Sequence, residues 1–140
     1  MGPVRDPGQY RCAVSTFGVT DLMLLFTSFD SDASEDWKSY GARLTVGDPD
    51  TEREKLKTYS PVHRVADMKV PVLLVAGLKD VRVPREHADD FESAARKAGV
   101  KLERVDYPDE AHGFFVVKDH VDFLKRLDAF MARSIGREPK

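Results

Sequence analysis

The stretch Val70-Pro71-Val72-Leu73-Leu74-Val75-Ala76-Gly77-Leu78-Lys79-Asp80-Val81-Arg82-Val83-Pro84 decides the fold class. From Val70 to Ala76 its apolar character is unbroken, and a strand without a polar face is one covered on both sides, as in a parallel sheet. An acid, Asp80, follows just past the strand. Pro84 suits the first position of a helix, in which Ala88, Phe91, Ala94, Ala95 and Ala98 recur at helical spacing and Gly99 reads as the stop. Val100 to Tyr107 is the next strand, more polar and so nearer a sheet edge. It runs into Tyr107-Pro108-Asp109-Glu110-Ala111-His112-Gly113-Phe114, which places a histidine just past its end.

Outward from these two strands the pattern stays αβ. A last helix is expected from about Asp119 to Ser134, with Phe123, Leu124, Leu127, Phe130 and Met131 along one stripe. Upstream, Arg11 to Phe17 holds a short apolar run, Cys12, Ala13, Val14 and Phe17, that fits a buried strand. Met1 to Tyr10 reads as the tail of a helix followed by a turn. Thr20 or Asp21 is placed to cap a helix over Leu22 to Phe26. The polar stretch Ser28 to Pro49 is an excursion with short helices, and a helix over Glu52 to Tyr59 stops before Ser60-Pro61, because the residue before proline is pushed out of the α region. Strands alternating with helices imply a parallel sheet, here about three strands with flanking helices.

Composition removes several classes of function. The chain has 140 residues, with 22 Lys plus Arg against 24 Asp plus Glu, and neither sign forms a block. Nucleic acid is therefore not an expected partner, since phosphate binding needs a basic surface. No apolar run approaches the roughly 20 residues that cross a bilayer, and the N-terminus lacks a signal-peptide pattern, so no membrane partner is expected. The compartment is left open, with the cytoplasm slightly favoured. A single cysteine, Cys12, rules out an internal disulfide and reads as a small buried side chain.

In a parallel αβ sheet, functional residues gather on loops at the carboxyl ends of the strands. Asp80 and His112 both occupy that position, which brings them to one edge of the sheet although 32 residues apart in the chain. An acid bonded to one imidazole nitrogen fixes the tautomer and stabilises the imidazolium, while the other nitrogen takes a proton from a serine hydroxyl. An acid followed by a histidine is the second half of the Ser, Asp, His order of α/β-hydrolases. The first half is missing: no Gly-x-Ser-x-Gly occurs in the 140 residues. Ser15 lacks flanking elbow glycines and Ser60 precedes a proline, so both read as structural. His63, His87 and His120 read as solvated, and a metal set of Asp106, Asp109, Glu110 and His112 has no supporting ligand spacing, so no metal is expected.

The segments Tyr10 to Ser15 with Gly18-Val19-Thr20-Asp21, Tyr59-Ser60-Pro61, Pro71 to Pro84 and Tyr107 to Phe114 together resemble the catalytic domain of the prolyl oligopeptidase family of serine peptidases, in its acylaminoacyl-peptidase and dipeptidyl-peptidase-like branches. That resemblance implies that residues 1–140 are the C-terminal part of an α/β-hydrolase peptidase domain, without the nucleophile elbow or the β-propeller that precedes such domains. It makes Asp80 the triad acid and His112 the base. It matches Arg82 to a position that holds substrate in some members.

The implied reaction in an intact parent is peptide hydrolysis through an acyl-enzyme, which needs no cofactor, and the isolated chain is expected to be inactive. A dienelactone-hydrolase-like esterase fragment and a noncatalytic binding module are the alternatives. The resemblance also puts the strand near Cys12 to Thr16 inside a larger sheet. Here it becomes an open edge, and self-association or docking through that edge is expected.

Overall fold

Every residue of β2 (Val72–Gly77) is buried, and the strand lies at the centre of its sheet. The computed structural model describes residues 1–28 and 34–136. β1 (Ala13–Thr16) and β3 (Leu102–Tyr107) both pair with β2 in parallel, in the registers Ala13 with Val72 and Val72 with Leu102. Because successive side chains of a strand point to opposite faces, β2 feeds two separate cores. Val72, Leu74 and Ala76 pack on one face against Ala88, Phe91 and Ala95 of helix α5 (Glu86–Ala98), joined by Val65 and Met68. Leu73 and Val75 pack on the other against Phe123 and Phe130 of helix α6 (Val117–Ile135), with Tyr107 between them. The uninterrupted apolar strand thus has its explanation in a three-layer helix, sheet, helix sandwich.

The remaining elements precede β1 or lie in its crossover to β2. α1 (Gly2–Arg5) and a 3-10 turn at Pro7–Gln9 precede β1. The crossover from β1 to β2 carries α2 (Leu24–Thr27), a π-helical turn at Trp37–Gly41 continuing into α3 (Ala42–Thr45), α4 (Arg53–Tyr59), and a 3-10 segment at Pro61–Asp67. Part of the expected excursion, residues 29–33, lies outside the described residues. Among the described residues no helix is long and apolar enough to cross a membrane.

Several expectations need correction. Thr20 caps no helix: its hydroxyl donates to the His87 carbonyl at 2.7 Å, and α2 starts only at Leu24. Asp21 accepts instead from the Met23 N–H at 2.8 Å, a local turn that competes with helix and delays its start. Pro84 stands two residues ahead of α5 rather than at its first position, and its carbonyl receives the His87 N–H. Leu124 and Met131 leave the inward stripe of α6 and are 50% and 43% exposed. The sheet beneath α6 is only three strands wide among the described residues and covers just Phe123, Leu127 and Phe130. Cys12 is half-buried rather than buried, because it flanks the open edge of β1.

Candidate active site

The carboxyl end of β2 is tied directly to the loop that follows β3. Leu78 N–H donates to the Tyr107 carbonyl and Lys79 N–H to that of Glu110, each at 2.9 Å. Gly77 makes this approach sterically feasible, since a Cβ there would fall on the Ala111 carbonyl and 2.5 Å from the Glu110 carbonyl. The chain then turns through Asp80, whose N–H bonds back to Gly77 at 3.2 Å.

Asp80 is buried, and each of its carboxylate oxygens is used. Oδ1 accepts the N–H groups of Arg82 and Val83, both at 2.9 Å, and Oδ2 lies 2.9 Å from His112 Nδ1. An ionised carboxylate only accepts, so Nδ1 carries the proton in this contact and Nε2 of neutral His112 is left with a free lone pair. The imidazole is 39% exposed while the Asp80 side chain is 1% exposed. The carboxylate is thus enclosed, and the imidazole faces outward. Gly113 follows with φ 147°, a conformation that favours glycine, and it turns the chain sharply behind the histidine.

Aromatic rings wall the imidazole. Phe17, at the end of β1, adopts φ 52°, uncommon for a bulky residue, and its ring lies 6.2 Å from that of His112 and 5.1 Å from that of Phe114. Phe114 stacks in turn on His120 at 5.2 Å and on Phe123 at 4.8 Å. Tyr107 donates its hydroxyl to Asp122 at 2.9 Å, and burial together with that carboxylate pushes its pKa up to about 12.

The other sequence candidates sort cleanly. Arg82 sits beside the pair, its backbone held by Asp80 and its side chain exposed. Ser60 is fully buried, bonding the Leu22 N–H and the Leu56 carbonyl at 2.8 Å each, and is structural. Asp106, Asp109, Glu110 and His112 engage Arg104, Lys79, backbone N–H groups and Asp80 respectively. Among the described residues no cluster of three or more His, Cys, Asp or Glu is placed to hold a metal ion. Arg104 pins α5 to β3. Burial works against its charge, but Asp106, Asp89 and Glu92 more than offset this and hold the guanidinium above its ordinary range.

His87, expected in solvent, is 2% exposed. Its Nδ1 accepts the N–H groups of Thr20 and Asp21, both at 3.4 Å, so it anchors the loop after β1 to α5. Burial lowers its pKa, against the opposing charges of Asp21, Asp90 and Asp80. Open grooves of about 350 and 480 Å³, sharing Pro71 and Lys101, lie at the amino ends of the strands, away from Asp80 and His112.

An acid and a histidine joined at the carboxyl edge of a parallel sheet coincide with a family match over residues 4–138. The chain belongs to the prolyl oligopeptidase family. It is 29% identical over 134 residues to dipeptidyl aminopeptidase BIII of Pseudoxanthomonas mexicana, covering 93% of this chain and 19% of that protein. Among solved structures, puromycin hydrolase superposes with a TM-score of 0.80 at 26% identity, over 92% of this chain and 19% of that one. A puromycin-hydrolyzing peptidase of Mycobacterium tuberculosis gives 0.79 at 28% identity, over 94% and 19%. The chain therefore spans about a fifth of the length of these prolyl oligopeptidase family relatives. Its three parallel strands and flanking helices are that portion of an α/β-hydrolase serine-peptidase domain.

Proposed function

We propose that Asp80 and His112 are the acid and base of a Ser-Asp-His triad whose serine is supplied from outside the 140 residues described by this sequence, and that the assembled site hydrolyses peptide bonds. The observation that carries the reading is the 2.9 Å contact between His112 Nδ1 and a buried Asp80 that has no other side-chain partner among the described residues, with the imidazole 39% exposed. His112 Nε2 takes the proton of the attacking serine hydroxyl as its oxygen bonds to the substrate carbonyl carbon. It returns that proton to the leaving amine, and water repeats the sequence to release the acyl group. Asp80 holds the tautomer and stabilises the imidazolium. Arg82, exposed next to the pair, is the candidate to bind a carbonyl or carboxylate of the peptide.

In this reading residues 1–140 are a partial catalytic domain, and β1 is where the rest of it attaches. β1 pairs only with β2 among the described residues, and its other edge presents unpaired backbone groups beside the half-exposed Val14.

A fluorophosphonate probe tests both parts. The chain alone is expected to remain unlabelled, and so is a relative's polypeptide truncated just before the matched stretch. Mixed, they are expected to label at the relative's serine, and His112→Ala is expected to abolish the reaction. Labelling of the chain alone at Ser15 or Ser60, or labelling of the mixture that survives His112→Ala, would overturn the proposal.

A further inference from the structure

Glu110 is fully buried, and its carboxylate is bound by backbone alone. Phe115 N–H donates to Oε2 at 2.8 Å and Val116 N–H to Oε1 at 2.9 Å. No cationic side chain pairs with it among the described residues. Burying a charged group without compensation is costly, so a carboxylate in this position signals that its two acceptors are needed where they are. Both donors stand at the threshold of α6, where N–H groups lack helical partners and the helix dipole favours a negative charge.

The same residue is fixed from the other side. Its carbonyl receives the Lys79 N–H at 2.9 Å, one residue before Asp80, and its own N–H bonds to Tyr107 at 3.3 Å. Glu110 therefore joins three things: the end of β2, the end of β3 and the start of α6. The segment between its backbone and the two clamped N–H groups is Ala111, His112, Gly113 and Phe114. A loop whose ends are locked has far fewer conformations to lose, and Gly113 would otherwise leave this one loose.

We propose that Glu110 is a positioning residue for His112: by closing the loop 111–114 onto the end of β2 it holds Nδ1 against Asp80. The proposal rests on the reading of Asp80 and His112 as an acid and base pair. A carboxylate that only capped α6 would stabilise the helix and leave the imidazole unaffected. A clamp on the histidine loop controls how often the Asp80 contact opens.

Solvent exchange of the His112 Nδ1 proton, followed by NMR in the imidazole-labelled full chain, separates these roles. Glu110→Gln keeps the shape but turns an NH2 group toward one of the two donors. It is expected to speed exchange of that proton by on the order of tenfold or more, as loss of a charge-assisted hydrogen bond implies. Asp80→Asn is the control for the underlying reading. If it leaves the proton's protection unchanged, the acid and base pair itself is wrong. If Asp80→Asn removes the protection and Glu110→Gln does not alter it, the pair stands and the positioning role is overturned. Should Glu110→Gln fail to fold, Val116→Pro deletes one donor from an exposed position and is read in the same way. In the unmutated chain the Phe115 and Val116 amides are expected to be protected, and exchange at the rate of an unstructured peptide would also overturn the clamp.

Discussion

Gly77 lies against the carbonyl of Ala111 so closely that no side chain fits between them. The last residue of the central strand and the residue just before His112 are thus in backbone contact, and the depth at which the histidine loop sits is set by the absence of a Cβ.

Gly77→Ala is expected to push the 110–112 backbone off the strand end. The opposing atoms are main-chain carbonyls, which cannot rotate away as a side chain does. A destabilisation of about 1–3 kcal/mol is expected, with further displacement of His112 from Asp80. Chemical denaturation gives the first, and loss of the protected His112 Nδ1 proton the second.

The open edge of β1 leads to a different kind of test. Val14 is 38% exposed on a strand that has one side unpaired among the described residues, and an unblunted edge invites pairing. Sedimentation velocity is expected to show association that grows with concentration, and Val14→Lys is expected to suppress it. A sharp monomer at all concentrations would count against the attachment surface.

His87 makes stability depend on pH. Burial lowers its folded-state pKa below the ordinary 6.5, so below that pH the unfolded chain takes up a proton that the folded chain refuses. The contribution is complete above about pH 6.5 and is lost as the pH falls. The midpoint of thermal unfolding is expected to drop between pH 7 and pH 5. His87→Asn keeps an acceptor for the Thr20 and Asp21 amides but cannot titrate, and its slope over that range is expected to be shallower.

Much of this is legible in the sequence. The unbroken run at Val70 to Ala76 betrays a strand packed on both faces, and positions just past two successive strands are enough to bring Asp80 and His112 together. What stayed hidden arises from contacts that no local pattern encodes. His87 occupies a first helical turn, where polar residues are ordinarily solvated, yet the Thr20 and Asp21 amides fold onto its ring from 67 and 66 residues away. Glu110 was visible as an acid near His112, but its partners are backbone groups in an irregular loop, which have no side-chain signature. The left-handed turn at Phe17 carries no glycine to announce it, although Gly18 follows. Leu124 and Met131 fit the apolar stripe of α6 by spacing, and their exposure depends on how wide a sheet lies beneath.

Whether Asp80 and His112 serve as acid and base in serine-peptidase catalysis can be read from a graft. The matched residues 4–138 would replace the corresponding stretch of the puromycin hydrolase, whose own serine remains, and turnover of that protein's substrate would be measured. A folded graft is expected to turn over. Asp80→Asn is expected to lower kcat by on the order of 10⁴ and His112→Ala by on the order of 10⁶. A folded graft that is inactive, or one whose turnover survives His112→Ala, would rule out Asp80 and His112 as acid and base.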